Sequence, residues 1–273
     1  MRDGRLRFGV GCLVALALIA ILAPWISNGD PALQRDVVTT RFLPPWTTDV
    51  NGSFHLLGTD RLGRDVWTRL AFGARVSLGV GLLGVSLSVL IGVLVGGVAG
   101  ASRGVVSRGL LAMTDFALAL PRVVLLLLLA TLWAPGMVLV VVVLGVTGWM
   151  PVARLVYGEV RKLMAMPFVE SAVALGATRP RVLTRHVLPN AMTPVIAAAA
   201  LGVGNAITLE AGLSFLGVGV QPPAPSWGGM IASGRDALIN APWVAIAPGV
   251  ALVLVVVACT LIGDALLTRR VGG

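Results

Sequence analysis

Reactive side chains are few in this chain, and their spacing restricts the chemistry open to it. It holds two histidines, His55 and His186, two cysteines, Cys12 and Cys259, and a single lysine, Lys162. A phosphate-cradling loop ends in Gly-Lys-Ser/Thr, and Lys162 is preceded by Arg161, so the chain cannot build one. Both cysteines lie inside apolar runs without a His or Cys neighbour, which suits packing and offers no metal geometry. What remains is one dense polar segment, FVESAVALGATRPRVLTRHVLPN at 168–190, and three ionisable residues in apolar surroundings, Asp115, Arg122 and Glu210. The segment has the chemistry of a docking surface, not of a catalytic site.

Composition dictates the elements that must position these groups. Hydrophobic residues make up 57% of the chain and charged residues 12%, with mean hydropathy +0.93, which describes an integral membrane protein. At about 20 apolar residues per crossing, the length accommodates roughly six spans in an all-α membrane fold. The formal charge of +9 would suit a nucleic-acid partner only with stacking aromatics, and these are 5% of residues; nucleic acid is excluded and lipid is the surrounding partner. Topology accounts for the charge. Arg2, Arg5 and Arg7; Arg103 and Arg108; Arg154, Arg161 and Lys162 with Arg179, Arg181 and Arg185; and Arg269 with Arg270 all sit beside apolar runs, and all four groups are assigned to the cytosol.

Six spans follow, at about 7–26, 74–99, 109–133, 137–157, 191–213 and 243–267, with both termini inside. The first is long for a signal-peptide core and lacks a small-x-small cleavage site, so it is read as a retained span. Residues 1–72 thus comprise that span and an extracytoplasmic segment, 73–267 a membrane domain with a cytosolic loop at 161–190, and 268–273 a short cytosolic tail. Within the outer segment, Thr59 or Asp60 is placed to cap an interfacial helix carrying Leu62, Val66, Trp67 and Leu70. The competing reading is a solvated loop in which Arg61, Arg64 and Arg69 face Asp60 and Asp65.

Gly84, Ser88, Gly92, Gly96 and Gly100 recur in steps of four, a small-residue stripe that admits close approach of a helix from this chain or another. Pro135-Gly136 separates spans three and four. Asp115 and Arg122, seven residues apart, share a face of span three, where they either pair or snorkel structurally or line a pathway. Glu210 falls near the outer end of span five within reach of water, with a structural or interface role and solute contact as its two readings. Pro222, Pro223 and Pro225 predict a rigid extended outer loop pinned by Trp227.

In the polar segment, Pro167 suits the first turn of a helix, Glu170 its positive end and Gly176 its stop. Thr178 then caps a second short helix with Pro180 in its first turn and Pro189 near its end, giving a helix-turn-helix on the cytosolic face. His186 is read as a contact residue and not a proton switch, because the only other histidine, His55, is expected across the membrane.

The order Glu170-Ser171-Ala172, Gly176, nine residues, then His186-Val187-Leu188-Pro189 resembles the EAA loop of binding-protein-dependent ABC importer permeases, which reads Glu-Ala-Ala, Gly and Ile-x-Leu-Pro. Ser171 and His186 are the departures. The runs HLLGTDRLGRDVWTRLAFGARVSL, LEAGLSFLGVGVQPPAPSWGGMI and LIGDAL extend the similarity across 55–267, to the C-type permease subunit of dipeptide, oligopeptide and nickel ABC importers. The resemblance implies a six-helix type I ABC importer permease fold with a cytosolic coupling helix-turn-helix, in a prokaryotic plasma membrane. It implies a second permease subunit, two cytosolic ATPases that hold the ATP and Mg, and an external solute-binding protein, with no cofactor on this chain and no enzymatic activity of its own. By the same resemblance the ATPase-coupling residues include Glu170, Ser171, Ala172, Gly176, His186, Leu188 and Pro189, to which the charge pattern adds Arg179, Arg181 and Arg185 as partners for acidic groups, and the solutes are di- or oligopeptides, with nickel complexes or glutathione-type solutes as alternatives. The tail after Asp264 lacks the acidic Asp-Pro finish of relatives and 28–54 is idiosyncratic, which bears on partner choice. A rival from another class, an ATP-independent secondary transporter using Asp115, Arg122 or Glu210 as a relay, predicts broken helices and an inverted repeat.

Overall fold

The computed structural model describes residues 2–27, 29–34, 36–131 and 134–271. The end of the expected third span at Leu132 and Trp133, the tail beyond Val271, and the side chains of Arg2, Arg269 and Arg270 fall outside the described residues. The helices are α1 (Arg2–Ile26), α2 (Val37–Thr40), α3 (Val66–Ala101), α4 (Val105–Ala119), α5 (Arg122–Thr131), α6 (Met137–Met164), α7 (Pro167–Ala174), α8 (Arg179–Val182), α9 (Leu188–Phe215), α10 (Trp227–Gly234) and α11 (Trp243–Val271). A two-stranded hairpin, β1 (Thr47–Thr48) with β2 (Phe54–His55), is antiparallel with Thr47 opposite His55. Among the described residues, α1, α3, α6, α11 and the rod Arg179–Phe215 are each long and apolar enough to cross a bilayer; counting the bent pair α4–α5 as one span brings the number to six.

At 36 residues α3 measures about 54 Å, well beyond a hydrocarbon core of about 30 Å. The interfacial helix expected to precede span two is therefore the first turns of α3 itself. Its cap is neither Thr59 nor Asp60 but Asp65, whose carboxylate accepts the Thr68 N–H at 2.7 Å. Thr59 and Asp60 are engaged elsewhere: the Thr59 hydroxyl donates to the Thr40 carbonyl, and Asp60 pairs with the Arg64 guanidinium at 2.7 Å. Arg64 and Arg69 are both buried, so the solvated-loop reading fails as well.

The small-residue stripe meets a partner inside the chain. Its five positions are buried, and α6 lies along them. A Cβ at Gly92 would stand 2.6 Å from Val152 Cβ, one at Gly100 2.8 Å from Val160 Cβ, and one at Gly96 would fall on the Ala153 carbonyl. In lipid, where burial of apolar surface drives little, such backbone approach is what joins two helices.

The third span is broken. Leu120, placed before Pro121, takes an extended conformation (ψ 133°) because the proline ring disfavours a helical predecessor, and α4 and α5 meet at 86°. Asp115 and Arg122 consequently do not share a face. A second correction concerns Pro189, expected near a helix end. Leu183–Val187 widen into a π turn in which the Leu188 N–H reaches the Leu183 carbonyl, and the helix continues through Pro189 into α9. Proline removes one N–H and crowds the carbonyl four residues back; one wider turn relieves both. A third concerns the outer loop, whose second half folds as α10 and packs against α9 and α11.

Candidate functional site

The loop between α6 and α9 is built in two layers. Val169, Val182 and Val187 are buried and share a cluster with Val156 and Val160 of α6 and Val195 of α9. In the same segment Leu175 is 90% exposed and Val173 42%, and Glu170, Arg179, Arg181, Arg185 and His186 are exposed. The loop thus combines a buried valine base with an exposed, charged surface.

The turn at its centre is a Schellman motif. The Gly176 N–H donates to the Val173 carbonyl at 2.9 Å and the Ala177 N–H to the Ala172 carbonyl at 3.0 Å, with Gly176 at φ +90°, which disfavours any residue with a Cβ. Glu170 sits in the first turn of α7, where the N-terminal N–H groups favour an anion, and the Ser171 hydroxyl donates back to the Pro167 carbonyl at 3.0 Å. Thr178 holds the cap position of α8 through its backbone, with no side-chain cap bond. Leu188 and Pro189 lie in the first turn of α9, and Asn190 Nδ2 donates to the His186 carbonyl at 2.6 Å. Arg179, Arg181, Arg185 and His186 are therefore carried on the end of a membrane-crossing rod.

A groove of about 700 Å³ runs beside α7, lined by Arg103, Arg161, Glu170, Val173 and Arg179 among others. Three guanidiniums and one carboxylate give it a positive balance. Arg103 and Arg161 stand 58 positions apart in the sequence, so nothing local in it marks them as walls of one groove.

The other singled-out residues scatter. Asp115 forms an ion pair with Arg154 of α6, so Arg154 is not a loop cation but a partner within the helices. Arg122 lies against Gly148 and lines a separate cavity with Ser88. Glu210 is fully buried, which corrects its expected contact with water. Its carboxylate accepts from the Ser77 hydroxyl at 3.0 Å and the Ser214 hydroxyl at 2.7 Å. Ser226 donates to Ser214 at 3.3 Å, the Trp227 backbone N–H donates to Ser77 at 3.2 Å, and the Trp227 indole N–H donates to the Leu70 carbonyl at 3.1 Å. This network ties α3, α9 and α10 together at one end of the bundle. Ser214, four residues after Glu210, could have been found from helical spacing; nothing local in the sequence points to Ser77.

Beside that end, His55 sits between two carboxylates, 2.8 Å from Asp65 and 3.5 Å from Asp49. Burial pushes the Asp49 carboxyl up, but N–H donors from Ser53 and Asn51 and the adjacent His55 outweigh it, and the net shift is downward.

A loop on a buried valine base, a tight α3–α6 pair and a polar network joining α3, α9 and α10 describe a helical membrane unit. Residues 89–272 match the family of binding-protein-dependent transport system inner membrane components. The chain belongs to that family. It is 38% identical over 267 residues to a putative peptide transport system permease protein of Brucella abortus, a match that spans 97% of this chain and 87% of the relative. It is 38% identical over 259 residues to the di/tripeptide transport system permease protein DppC of Pseudomonas aeruginosa, spanning 94% and 84%. A glutathione transport system permease protein, GsiD of Pectobacterium atrosepticum, is 37% identical over 214 residues, 78% of this chain and 71% of that one. In fold it is similar to a chain of the methionine ABC transporter MetNI in an inward-facing conformation, with a TM-score of 0.61 at 21% identity, covering 75% of this chain and 97% of that chain. It is a multi-pass inner membrane permease subunit of the ABC importer type.

Proposed function

We propose that this chain forms half of the membrane path of an ATP-driven peptide importer, with 73–267 as the permease domain, 161–190 as the loop that receives the ATPase, and both termini in the cytosol. The relatives named for peptide and di/tripeptide transport support that solute class. The observation that carries the reading is the two-layered loop: exposed Leu175 and Val173 in one segment with exposed Arg179, Arg181, Arg185 and His186, on a buried valine base. Exposed apolar side chains rimmed by charge mark a protein partner, and without a P-loop lysine this chain needs a partner to hold ATP and Mg. Glu170, Ser171, Ala172, Gly176, Leu188 and Pro189 shape that surface, and the arginines face acidic groups on the ATPase.

The remaining partners are a second permease, against which a half-path closes, and an extracytoplasmic binding protein that delivers the peptide. The break between α4 and α5 is a feature that a secondary transporter would share. Reconstitution separates the two: uptake of tripeptide into proteoliposomes holding the permease pair, ATPases and binding protein is expected only with ATP and Mg inside the ATPase compartment. Uptake that persists without ATP, or that needs no binding protein, overturns the importer reading.

A further inference from the structure

We propose that Arg122 is a subsite for the C-terminal carboxylate of the transported peptide, held in a cavity at membrane depth; this rests on the peptide-importer reading above. The cavity has a volume of about 180 Å³ and lies between α3, α5, α6 and α9, with Ser88, Arg122, Gly148, Pro151, Val152 and Asn205 among its walls. Gly148 places it along α6: roughly 16 Å of helix lies between Gly148 and Met137, and roughly 24 Å between Gly148 and Met164. A charge at such depth is unfavourable unless it is paired or functional.

Two guanidiniums elsewhere in the chain do have carboxylate partners. Arg154 meets Asp115, and Arg64 meets Asp60 at 2.7 Å. Arg122 has no ion pair among the described residues, and its buried Nε has no hydrogen-bond partner. No ion pair and no Nε hydrogen bond among the described residues accounts for it. Space for it depends on a glycine: a Cβ at Gly148 would strike the Ser88 hydroxyl and stand 3.2 Å from Arg122 Nη2.

A planar guanidinium with free donors matches an anion with two coplanar oxygens, which is a carboxylate. At about 30 Å³ per water in liquid, the cavity has room for about six waters. That fits the terminal residue of a peptide and not the whole molecule. Val152 offers an apolar wall to the last side chain, and Asn205, exposed at the edge, offers an amide to the preceding peptide group. The neutral end of a C-terminally amidated peptide would leave the guanidinium unanswered.

The test uses the purified permease–ATPase complex in nanodiscs, with acetate and its neutral isostere acetamide as probes at equal ionic strength. Acetate is expected to raise the melting temperature by about 2 °C and acetamide to leave it unchanged. Arg122→Gln is expected to abolish the acetate shift, Arg122→Lys to keep part of it, and Gly148→Ala, which retains the charge but crowds it, to weaken it. In proteoliposomes with the binding protein, Arg122→Gln is expected to lower trialanine uptake roughly tenfold, the loss of one charge-assisted contact. No acetate shift in the wild type, or a shift that survives Arg122→Gln, overturns the proposal. So does loss of the second permease subunit from the Arg122→Gln complex in place of a lost shift, which would assign the guanidinium to a carboxylate of that subunit. An Arg122-dependent acetate shift in a complex that takes up no peptide supports the carboxylate site and overturns the peptide reading instead.

Discussion

Replacing Gly176 with valine tests the coupling loop at its most constrained point. Nothing lies within 4 Å of a Cβ built on Gly176, so the substitution meets no neighbour and its whole penalty is conformational, arising from φ +90°. A Cβ in the left-handed region costs about 1–2 kcal/mol, and a β-branched residue falls at the upper end. That is roughly a 5- to 30-fold shift away from the turn that joins α7 to α8. Gly176→Asn is the control, because asparagine tolerates this region, and it should retain most of the wild-type behaviour. The assay is ATPase association with the permease pair in nanodiscs, beside amide hydrogen exchange at Gly176 and Ala177, whose N–H groups make the two turn bonds. Gly176→Val is expected to weaken association about tenfold or more and to accelerate exchange at both amides. Fast exchange with unchanged association and transport would refute the docking role; unchanged exchange would refute the strain argument itself.

Three further outcomes follow from the packing and electrostatics. Gly96→Val drives a Cβ into the Ala153 carbonyl, a backbone atom that cannot rotate away, and should separate α3 from α6 at about 3 kcal/mol, seen as an early-melting, aggregation-prone species in detergent chromatography. Glu210→Leu leaves the Ser77 and Ser214 hydroxyls without their acceptor and should destabilise the α3–α9–α10 end by about 1–3 kcal/mol, while Glu210→Gln, which keeps an acceptor oxygen, should destabilise it less in the same thermal assay. The Asp49 carboxyl has its folded pKa below the ordinary 3.8, so it stabilises the β1–β2 hairpin fully at neutral pH and loses that contribution as pH falls through the folded value. Limited proteolysis across 49–53 should therefore accelerate only on strong acidification, and Asp49→Asn should be fast at every pH.

Much of this architecture is legible in the sequence for physical reasons. A bilayer requires long apolar runs, so the spans are visible as composition, and steps of four in small residues expose the α3 stripe because α-helical geometry returns Gly84, Ser88, Gly92, Gly96 and Gly100 to one side. Gly176 is legible because one backbone region excludes nearly every other residue. Prolines are less decisive. Pro121 breaks a span through its predecessor, whereas Pro189 is absorbed by a π turn, and nothing in the local sequence separates the two outcomes. Long-range polar pairing is least legible of all. Asp115 meets Arg154 across 39 residues, and Ser77 meets Glu210 across 133, so residues that look isolated on their own helices acquire partners only through packing.

The π turn has a mechanical consequence for the proposed coupling. A helix end at Pro189 would have placed a flexible joint between the docking surface and span five, and a joint absorbs displacement. Instead α8, the π turn and α9 run as one hydrogen-bonded rod, with His186 exposed near one end and Glu210 buried roughly 36 Å further along. Val182 and Val187 fasten the same rod to α6 beside the loop. A push on Arg179, Arg181 or Arg185 by an ATPase is then transmitted toward Glu210 along a continuous helix, in which Pro189 and Pro194 are the positions that lack a backbone N–H. The hydrogen bonds from Ser77 and Ser214, and through them the hold on Ser226 and Trp227, are what such motion must strain or release. Opening at that end should accordingly depend on the network around Glu210 even though none of its members touches the ATPase, and inserting a Gly-Gly pair after Asn190 should uncouple ATP hydrolysis from uptake while leaving ATPase binding intact.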